Sequence, residues 1–88
     1  MADASPRMKA FIQVALKRTV LDPQGKTIQA ALRKLGFDAI EDVRQGKVLE
    51  LRFVPGTAPE EARRQAERAA SELLANPVIE EYAIRWEE

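Results

Sequence analysis

Apolar and polar residues alternate over the first patterned stretch of the chain, from Met8 to Lys17. The apolar positions are every second residue: Met8, Ala10, Ile12, Val14 and Leu16. A period of two is typical of a strand that buries one face, so the pattern predicts a strand here. Phe11 interrupts the polar face. Either a solvent-exposed side chain or a contact with another subunit would account for it.

A helix is predicted next, over residues 23–35. Apolar residues recur there with helical spacing: Ile28, Ala31, Leu32 and Leu35. Asp22 is a good N-cap, Pro23 suits the first helical position, and Gly36 suits the left-handed residue that ends a helix. Gly25 in the first turn lowers helix propensity by about 1 kcal/mol relative to alanine. We therefore expect another backbone or a ligand to approach the chain closely at Gly25.

Two extended runs, 39–44 and 47–54, flank a glycine turn at Gly46 and predict a β-hairpin. The second run alternates clearly, with Leu49 and Leu51 on its apolar face. The first run alternates poorly, so a bulge or an early bend is expected there.

A second helix and a last strand complete the pattern. Thr57 and Glu60 match a capping box, which predicts the start of a helix. The helix is expected to stop at Asn76, because Pro77 disfavours helical geometry in the residue before it. Residues 78–86 then alternate and predict the closing strand.

The order strand, helix, strand, strand, helix, strand predicts one α+β domain over residues 8–88. We expect a βαββαβ two-layer sandwich of the ferredoxin-like, split βαβ type. In that fold two helices cover one face of an antiparallel sheet. Residues 1–7 are polar and small, and we expect them to form a disordered N-terminal extension.

Charge and composition exclude several partners and compartments. The 88 residues carry 14 basic and 14 acidic side chains, so no net field attracts nucleic acid or an anionic membrane. No apolar run approaches the roughly 20 residues of a membrane span, and no signal peptide is visible. We expect a cytoplasmic protein that binds neither nucleic acid nor membrane.

The chain also lacks the residues of most active sites. It has no histidine and no cysteine, so the commonest general base and the thiolate metal ligands are missing. On fold alone, four classes compete: an RNA-binding sheet, an acylphosphatase-like enzyme, a small-molecule regulatory domain and an interaction subunit. The strand over 47–54 lacks the aromatic pattern of RNA-binding sheets, and residues 17–19 lack a glycine-rich phosphate loop. The last two classes remain, and we predict no catalytic, cofactor or metal site in this chain.

Loop residues with little structural reason to be there are the candidates for contacts with other proteins. The candidates for a partner interface are Asp22, Pro23, Gln24, Gly25, Arg44, Gly46, Lys47 and Asn76. The two glycines would allow a partner backbone to come close, and Arg44 and Lys47 would form a basic knob. The candidates for a homo-oligomer interface are Phe11, Leu49 and Leu51.

Four motifs in order resemble the PurS family, the small subunits of phosphoribosylformylglycinamidine (FGAM) synthase. They are Val-Leu-Asp-Pro-Gln-Gly at 20–25, Leu-Gly at 35–36, Val-Arg-x-Gly-Lys at 43–47 and Leu-Leu-Ala-Asn-Pro-Val-Ile-Glu-x-Tyr at 73–82. The resemblance covers nearly the whole chain, and four motifs at the family's spacing are specific. Arg18 and Thr19 depart from it, since the family often has Pro-Gly there.

The resemblance implies a role in purine biosynthesis. The family's complex converts formylglycinamide ribonucleotide, ATP and glutamine to formylglycinamidine ribonucleotide, ADP, phosphate and glutamate. A glutaminase subunit (PurQ) releases ammonia, and a large subunit (PurL) uses ATP and Mg²⁺. PurS itself has no catalytic residues or cofactors; it forms dimers or tetramers and bridges the other two subunits. The alternative is a regulatory domain of the same fold that binds a small molecule at a dimer seam.

Overall fold

The computed structural model describes residues 8–87. Its elements are β1 (Lys9–Leu16), α1 (Pro23–Lys34), β2 (Gly46–Arg52), α2 (Pro59–Ala69), a π-helical turn (Ala70–Leu74) and β3 (Glu80–Glu87). The predicted fold class, an antiparallel sheet with two helices, is confirmed. The prediction of a disordered extension over 1–7 falls outside the described residues. None of the described helices is long and apolar enough to cross a membrane.

Strand β1 is the centre of the sheet, whose strand order is β2-β1-β3. Both neighbours run antiparallel to it, and Ile12 lies opposite Leu49 on one side and Ile84 on the other. Because side chains alternate across a strand, these three share the face that α2 covers. The predicted alternation of β1 is thereby confirmed, with Ile12 and Val14 almost completely buried.

Helix α2 lies close against the sheet through alanines. Ala62, Ala66 and Ala70 have no exposed surface. Each of these three side chains is a single methyl group, so the helix backbone can approach Ile12 and its neighbours closely. At its end the helix widens into the π turn, where the Ala75 amide donates to the Ala70 carbonyl at 3.0 Å. The turn leaves Ala75 packed with Ile12 in the core cluster.

Two aromatic rings close the other end of the same face. The ring centroids of Phe53 and Trp86 are 5.9 Å apart and nearly parallel. Trp86 lies opposite Ala10 in the sheet, and Ala10 is fully buried. The small side chain at this position leaves space for the rings to meet. The chain has one tryptophan, so Trp86 reports on this packing by fluorescence.

Helix α1 begins and ends near the predicted residues but does not pack on the sheet. Its only buried residue is Gly25. Ile28 and Leu35, which the sequence pattern assigned to a buried stripe, are 39% and 75% exposed. The radius of gyration is 17.3 Å, against about 12 Å for a compact chain of this length. Only α2 therefore covers the sheet within one chain, where the sequence predicted both helices.

Segment 39–44 is not a strand, so the predicted hairpin does not form among the described residues. The segment runs back beside α1, where the Gln29 side-chain amide donates to the Glu41 carbonyl. Lys26 and Asp42 form an ion pair at 3.7 Å between the same two stretches. The bend anticipated from the poor alternation has thus replaced strand pairing, and β2 is left as an edge strand.

Candidate functional site

Two sequence motifs, 20–25 and 43–47, meet at the start of β2. The Asp22 side chain joins them: Oδ1 accepts a hydrogen bond from the Gly25 amide at 2.9 Å, and Oδ2 accepts one from the Gln45 amide at 2.6 Å. Asp22 is only 4% exposed. We call residues 20–25 and 43–46 together the latch, because one carboxylate caps α1 and holds the start of β2 against it.

The latch explains the glycine in the first turn of α1. A Cβ atom built on Gly25 would lie 2.1 Å from the Val43 carbonyl oxygen and 2.9 Å from Asp22 Oδ2. No side chain fits at these distances. Of the two expectations for this position, a close backbone or a ligand, the backbone is present, and it belongs to the same chain.

Arg44 closes the latch from the other side. Its Nη2 donates to the carbonyl oxygens of Lys17 at 2.9 Å and Val20 at 2.8 Å. These carbonyls lie in the loop between β1 and α1, where regular structure offers them no donor. The basic knob predicted from Arg44 and Lys47 stays a prediction, but in the single chain the Arg44 guanidinium is part-buried and bonded to its own chain's carbonyls.

The latch lowers the pKa of the Asp22 carboxyl below its usual value. The largest cause is the hydrogen bond from the Gln45 amide, followed by the bond from the Gly25 amide. The positive charge of Arg44 acts in the same direction, and burial opposes it. Asp22 is thus held as an anion, the form that accepts both amide bonds.

Gly46 is also accounted for within the chain. A Cβ atom there would come within 2.6 Å of the Val14 carbonyl oxygen. Gly46 lies opposite Ala15 where β2 begins to pair with β1. The close approach expected of a partner backbone at Gly46 is made by the neighbouring strand.

Asn76 forms a corner between the π turn and β3. Its Oδ1 accepts from the Val78 amide at 3.0 Å, and its carbonyl oxygen accepts from the Glu80 amide at 2.7 Å. The neighbouring Ile79 carbonyl accepts from the Lys17 amide at 2.9 Å. Because Lys17 also contacts Arg44, the corner and the latch lie at the same end of the sheet.

Exposed polar groups surround the latch at this end. A shallow cleft of about 310 Å³ lies between the strands and α1, lined in part by Gln24, Gln45, Lys47 and Glu80. Pro23, Gln24 and Lys47 are exposed. We call the rim formed by these three residues and the half-buried Glu80 the latch-end surface. It presents an amide, a cation and a carboxylate, which are groups suited to binding another protein.

The predicted homo-oligomer residues do not form one surface. Leu49 and Leu51 are half-buried and pack against the core under α2. Phe11 lies on the opposite face of the sheet, with the Arg85 guanidinium 4.5 Å from its ring centre. The period-two pattern already separates odd from even positions of β1, but which residues of β2 face α2 depends on the strand register.

Sequence reasoning missed three contributors to this end of the molecule. Gln45 acts through its backbone amide, which carries no side-chain signal, and Val43 acts through its carbonyl. Glu80 contributes through its side chain, since its Oε1 accepts from the Asn76 amide at 2.7 Å. The only sequence signal for this hydrogen bond was the position of Glu80, four residues after Asn76 in the Asn-Pro turn.

Asp22 is the acidic side chain at the centre of the latch. Among residues 8–87, no group of three or more histidine, cysteine, aspartate or glutamate side chains could hold a metal ion. Asp22, whose pKa is lowered, is buried and bonded to two amides. Its lowered pKa is explained by structure and needs no catalytic role.

The chain is similar to a known family along nearly its whole length. The family model of PurS, described as phosphoribosylformylglycinamidine (FGAM) synthase, matches residues 9–88. The phosphoribosylformylglycinamidine synthase subunit PurS of Mycobacterium leprae is 43% identical over 79 residues, which is 90% of this chain and 95% of the relative.

Solved structures agree with the sequence match. PurS of Thermus thermophilus superimposes with a TM-score of 0.80 at 44% identity, covering 94% of this chain and 98% of that one. A chain from the structure of PurLQS from Thermotoga maritima gives a TM-score of 0.82 at 36% identity, covering 93% of this chain and 99% of that one. On sequence and on fold, this chain belongs to the PurS family.

Proposed function

We propose that this chain is the assembly subunit of an FGAM synthase complex in purine biosynthesis. It bridges a glutaminase subunit (PurQ) and a synthetase subunit (PurL) and supports the transfer of ammonia between them. The observation that carries the proposal is the PurS match over residues 9–88, together with the fold similarity to a chain of PurLQS.

The chain's chemistry supports a role without catalysis. Glutamine hydrolysis needs an activated nucleophile, and the sequence has neither cysteine nor histidine to provide one. The role assigned here needs no cofactor in this subunit, since ATP and Mg²⁺ are used by the large subunit of the complex. The cytoplasmic location expected from the sequence remains a prediction.

The latch-end surface is our candidate for the contact with the larger subunits. Three of the residues proposed from sequence, Pro23, Gln24 and Lys47, remain exposed there. Asp22, Gly25, Arg44, Gly46 and Asn76 act instead by fixing the shape of this surface. A rigid loop scaffold that presents a few polar groups loses little conformational entropy when it binds a partner.

The direct test is glutamine-dependent FGAM synthesis by PurL and PurQ with and without this chain. We expect the chain to restore the glutamine reaction, while the reaction with ammonium chloride proceeds without it. An unchanged glutamine reaction in the presence of the chain would contradict the bridging role.

The regulatory alternative makes a different prediction. A ligand-binding domain would bind an amino acid or a nucleotide in the absence of PurL and PurQ. Isothermal titration of the isolated chain with glutamine, formylglycinamide ribonucleotide and ATP distinguishes the two. We expect no heat of binding from any of them.

A further inference from the structure

Three exposed apolar side chains lie at the corner between the π turn and β3. Leu73 and Val78 are the most exposed large apolar side chains among residues 8–87, at 82% and 77%, and Ile79 is also exposed. We call Leu73, Val78 and Ile79 the apolar corner. All three belong to a stretch of seven residues, 73–79, around the Asn76 turn. Exposed apolar side chains that are grouped in this way mark a surface that contacts another protein.

The fold does not require apolar residues at the corner. Asn76 Oδ1 accepts from the Val78 amide at 3.0 Å in the turn, and surface turns favour glycine, asparagine, aspartate and serine. A β-branched side chain at position 78 adds nothing to this hydrogen bond, because only the backbone of Val78 takes part in it. In the π turn, Leu74 packs against the core, whereas its neighbour Leu73 stays exposed. The apolar corner therefore needs an explanation outside the single chain.

Hydrogen bonds join the apolar corner to the latch. The Ile79 carbonyl accepts from the Lys17 amide at 2.9 Å, and the Lys17 carbonyl accepts from Arg44 Nη2 at 2.9 Å. Glu80 belongs to the latch-end surface and directly follows Ile79, and its Oε1 accepts from the Asn76 amide at 2.7 Å. The apolar corner and the latch-end surface are therefore continuous, and the same hydrogen bonds hold both in place.

The latch-end surface by itself is too small for a stable contact with another protein. A stable interface uses about 20–30 residues of each partner, and the latch-end surface has only Pro23, Gln24, Lys47 and Glu80. Its groups are mostly polar, as at the rim of an interface, whereas the centre of an interface is more apolar. The apolar corner adjoins this rim and supplies the apolar part that the latch-end surface lacks.

We propose that the larger subunit that covers the latch-end surface also covers the apolar corner and holds Leu73, Val78 and Ile79 in an apolar pocket. This inference rests on the proposed function and deepens it by naming the anchor of that contact. The pocket of the partner has a cation at its rim, because the exposed carboxylate of Glu81 lies two residues after Ile79. The turn is fixed before binding, so little conformational entropy is lost when the corner is buried.

Photo-cross-linking from single positions tests whether one partner covers both surfaces. The natural chain has no cysteine, so V78C, Q24C and V54C each carry one benzophenone-maleimide label in the complex reconstituted with PurL and PurQ. We expect V78C and Q24C to cross-link to the same larger subunit. V54C is the control, because Val54 is 76% exposed and lies beyond the far end of β2. Cross-links from V78C and Q24C to different subunits, or a V78C yield with the larger subunits no greater than that of V54C, would overturn the proposal.

Titration of the glutamine reaction measures how much the apolar corner contributes to binding. We expect the double variant L73S/V78S to raise, by about tenfold or more, the chain concentration that half-restores glutamine-dependent synthesis by PurL and PurQ. V54S removes an equally exposed valine and should leave that concentration unchanged. Circular dichroism and Trp86 fluorescence check that the variants remain folded. A folded L73S/V78S variant that acts at the natural concentration contradicts the anchor.

The anchor and the proposed function fail in different ways. A natural chain that does not restore the glutamine reaction removes both. A natural chain that restores it, together with an L73S/V78S variant that restores it equally well, removes the anchor and leaves the proposed function intact. Sedimentation of the isolated L73S/V78S variant is the last control, and we expect the oligomeric state of the natural chain. A changed state would assign the apolar corner to a contact between copies of this chain and overturn the proposal.

Discussion

Asp22 and Gly25 show how single residues fix the geometry of the latch. The carboxylate of Asp22 serves two amides from different parts of the chain, and Gly25 lets the Val43 carbonyl come close to α1. The sequence alone predicts that Asp22 caps α1. It does not predict the hydrogen bond from the Gln45 amide, because the Gln45 backbone reaches Asp22 only after the chain has folded back along α1.

Replacing Gly25 with alanine tests the close approach. The added methyl carbon would lie 2.1 Å from the Val43 carbonyl oxygen, so the two segments must separate. We expect a loss of about 1–3 kcal/mol in the free energy of unfolding, as for other overpacked sites. Urea unfolding followed by Trp86 fluorescence measures it. The control is Gly36→Ala, at a left-handed residue with open space around it. Its cost comes from backbone strain alone.

Asp22 also predicts a dependence of stability on pH. The folded-state pKa of Asp22 lies below the ordinary aspartate value of 3.8, so the folded state favours the charged form. The resulting stabilisation is present at neutral pH and is lost as the pH falls from about that value through the folded-state pKa. We expect Asp22→Asn to be less stable than the natural chain at pH 7 and the difference to shrink below pH 4. A difference that stays constant with pH would contradict the assignment.

At the scale of elements, the two helices differ in burial: the small residues of α2 are buried, whereas the apolar stripe of α1 is not covered within the chain. The alanines of α2 are buried because they allow the helix to lie on the sheet. The stripe of α1 has equally good helical periodicity but stays exposed in the single chain. Periodicity indicates that a face will be covered, and it does not indicate by which chain.

Replacing Ala66 with leucine tests the close packing of α2. Ala66 has no exposed surface, so three extra carbons would push the helix away from β1. We expect a destabilisation of about 1–3 kcal/mol. Ala30→Leu, the same change at an exposed position of α1, should leave the stability of the fold within about 0.5 kcal/mol of the natural value. Thermal unfolding of both variants provides the comparison.

At the scale of the whole molecule, the structure separates the residues that shape the latch-end surface from those that are free to contact a partner. Arg44 and Lys47 looked equivalent in the sequence, as two cations on one turn. Arg44 is bonded to two carbonyls of its own chain, whereas Lys47 is exposed at the second residue of strand β2.

Changing Lys47 should therefore affect the complex and leave the fold intact. We expect Lys47→Glu to lower glutamine-dependent synthesis in the reconstituted complex several-fold, with the ammonia-dependent reaction unchanged. Arg63→Glu, a matched reversal on the exposed side of α2, should have no effect on either reaction. Arg44→Ala should instead lower the melting temperature of the isolated subunit. Normal glutamine-dependent activity of Lys47→Glu would remove Lys47 from the interface.

The sequence by itself determined the strands, the helices and their caps where the signal is local. Alternation identified β1, and Asp22, Pro23 and Gly36 marked the ends of α1, because strand period and capping depend on neighbouring residues. It misplaced the start of α2: the helix begins at Pro59 with no side-chain cap, and Thr57 bonds instead to the Val54 carbonyl.

Tertiary structure alone decided the contacts between distant segments. Segment 39–44 does not pair with β2, and the Val43 carbonyl lies against Gly25. Leu49 and Leu51 pack inside the protomer, and α1 stays uncovered. These outcomes depend on which groups come together across a dozen or more residues of chain, as Gln29 and Glu41 or Asp22 and Gln45 do. Side-chain periodicity carries no information about such pairings, because it records only which face of an element is apolar.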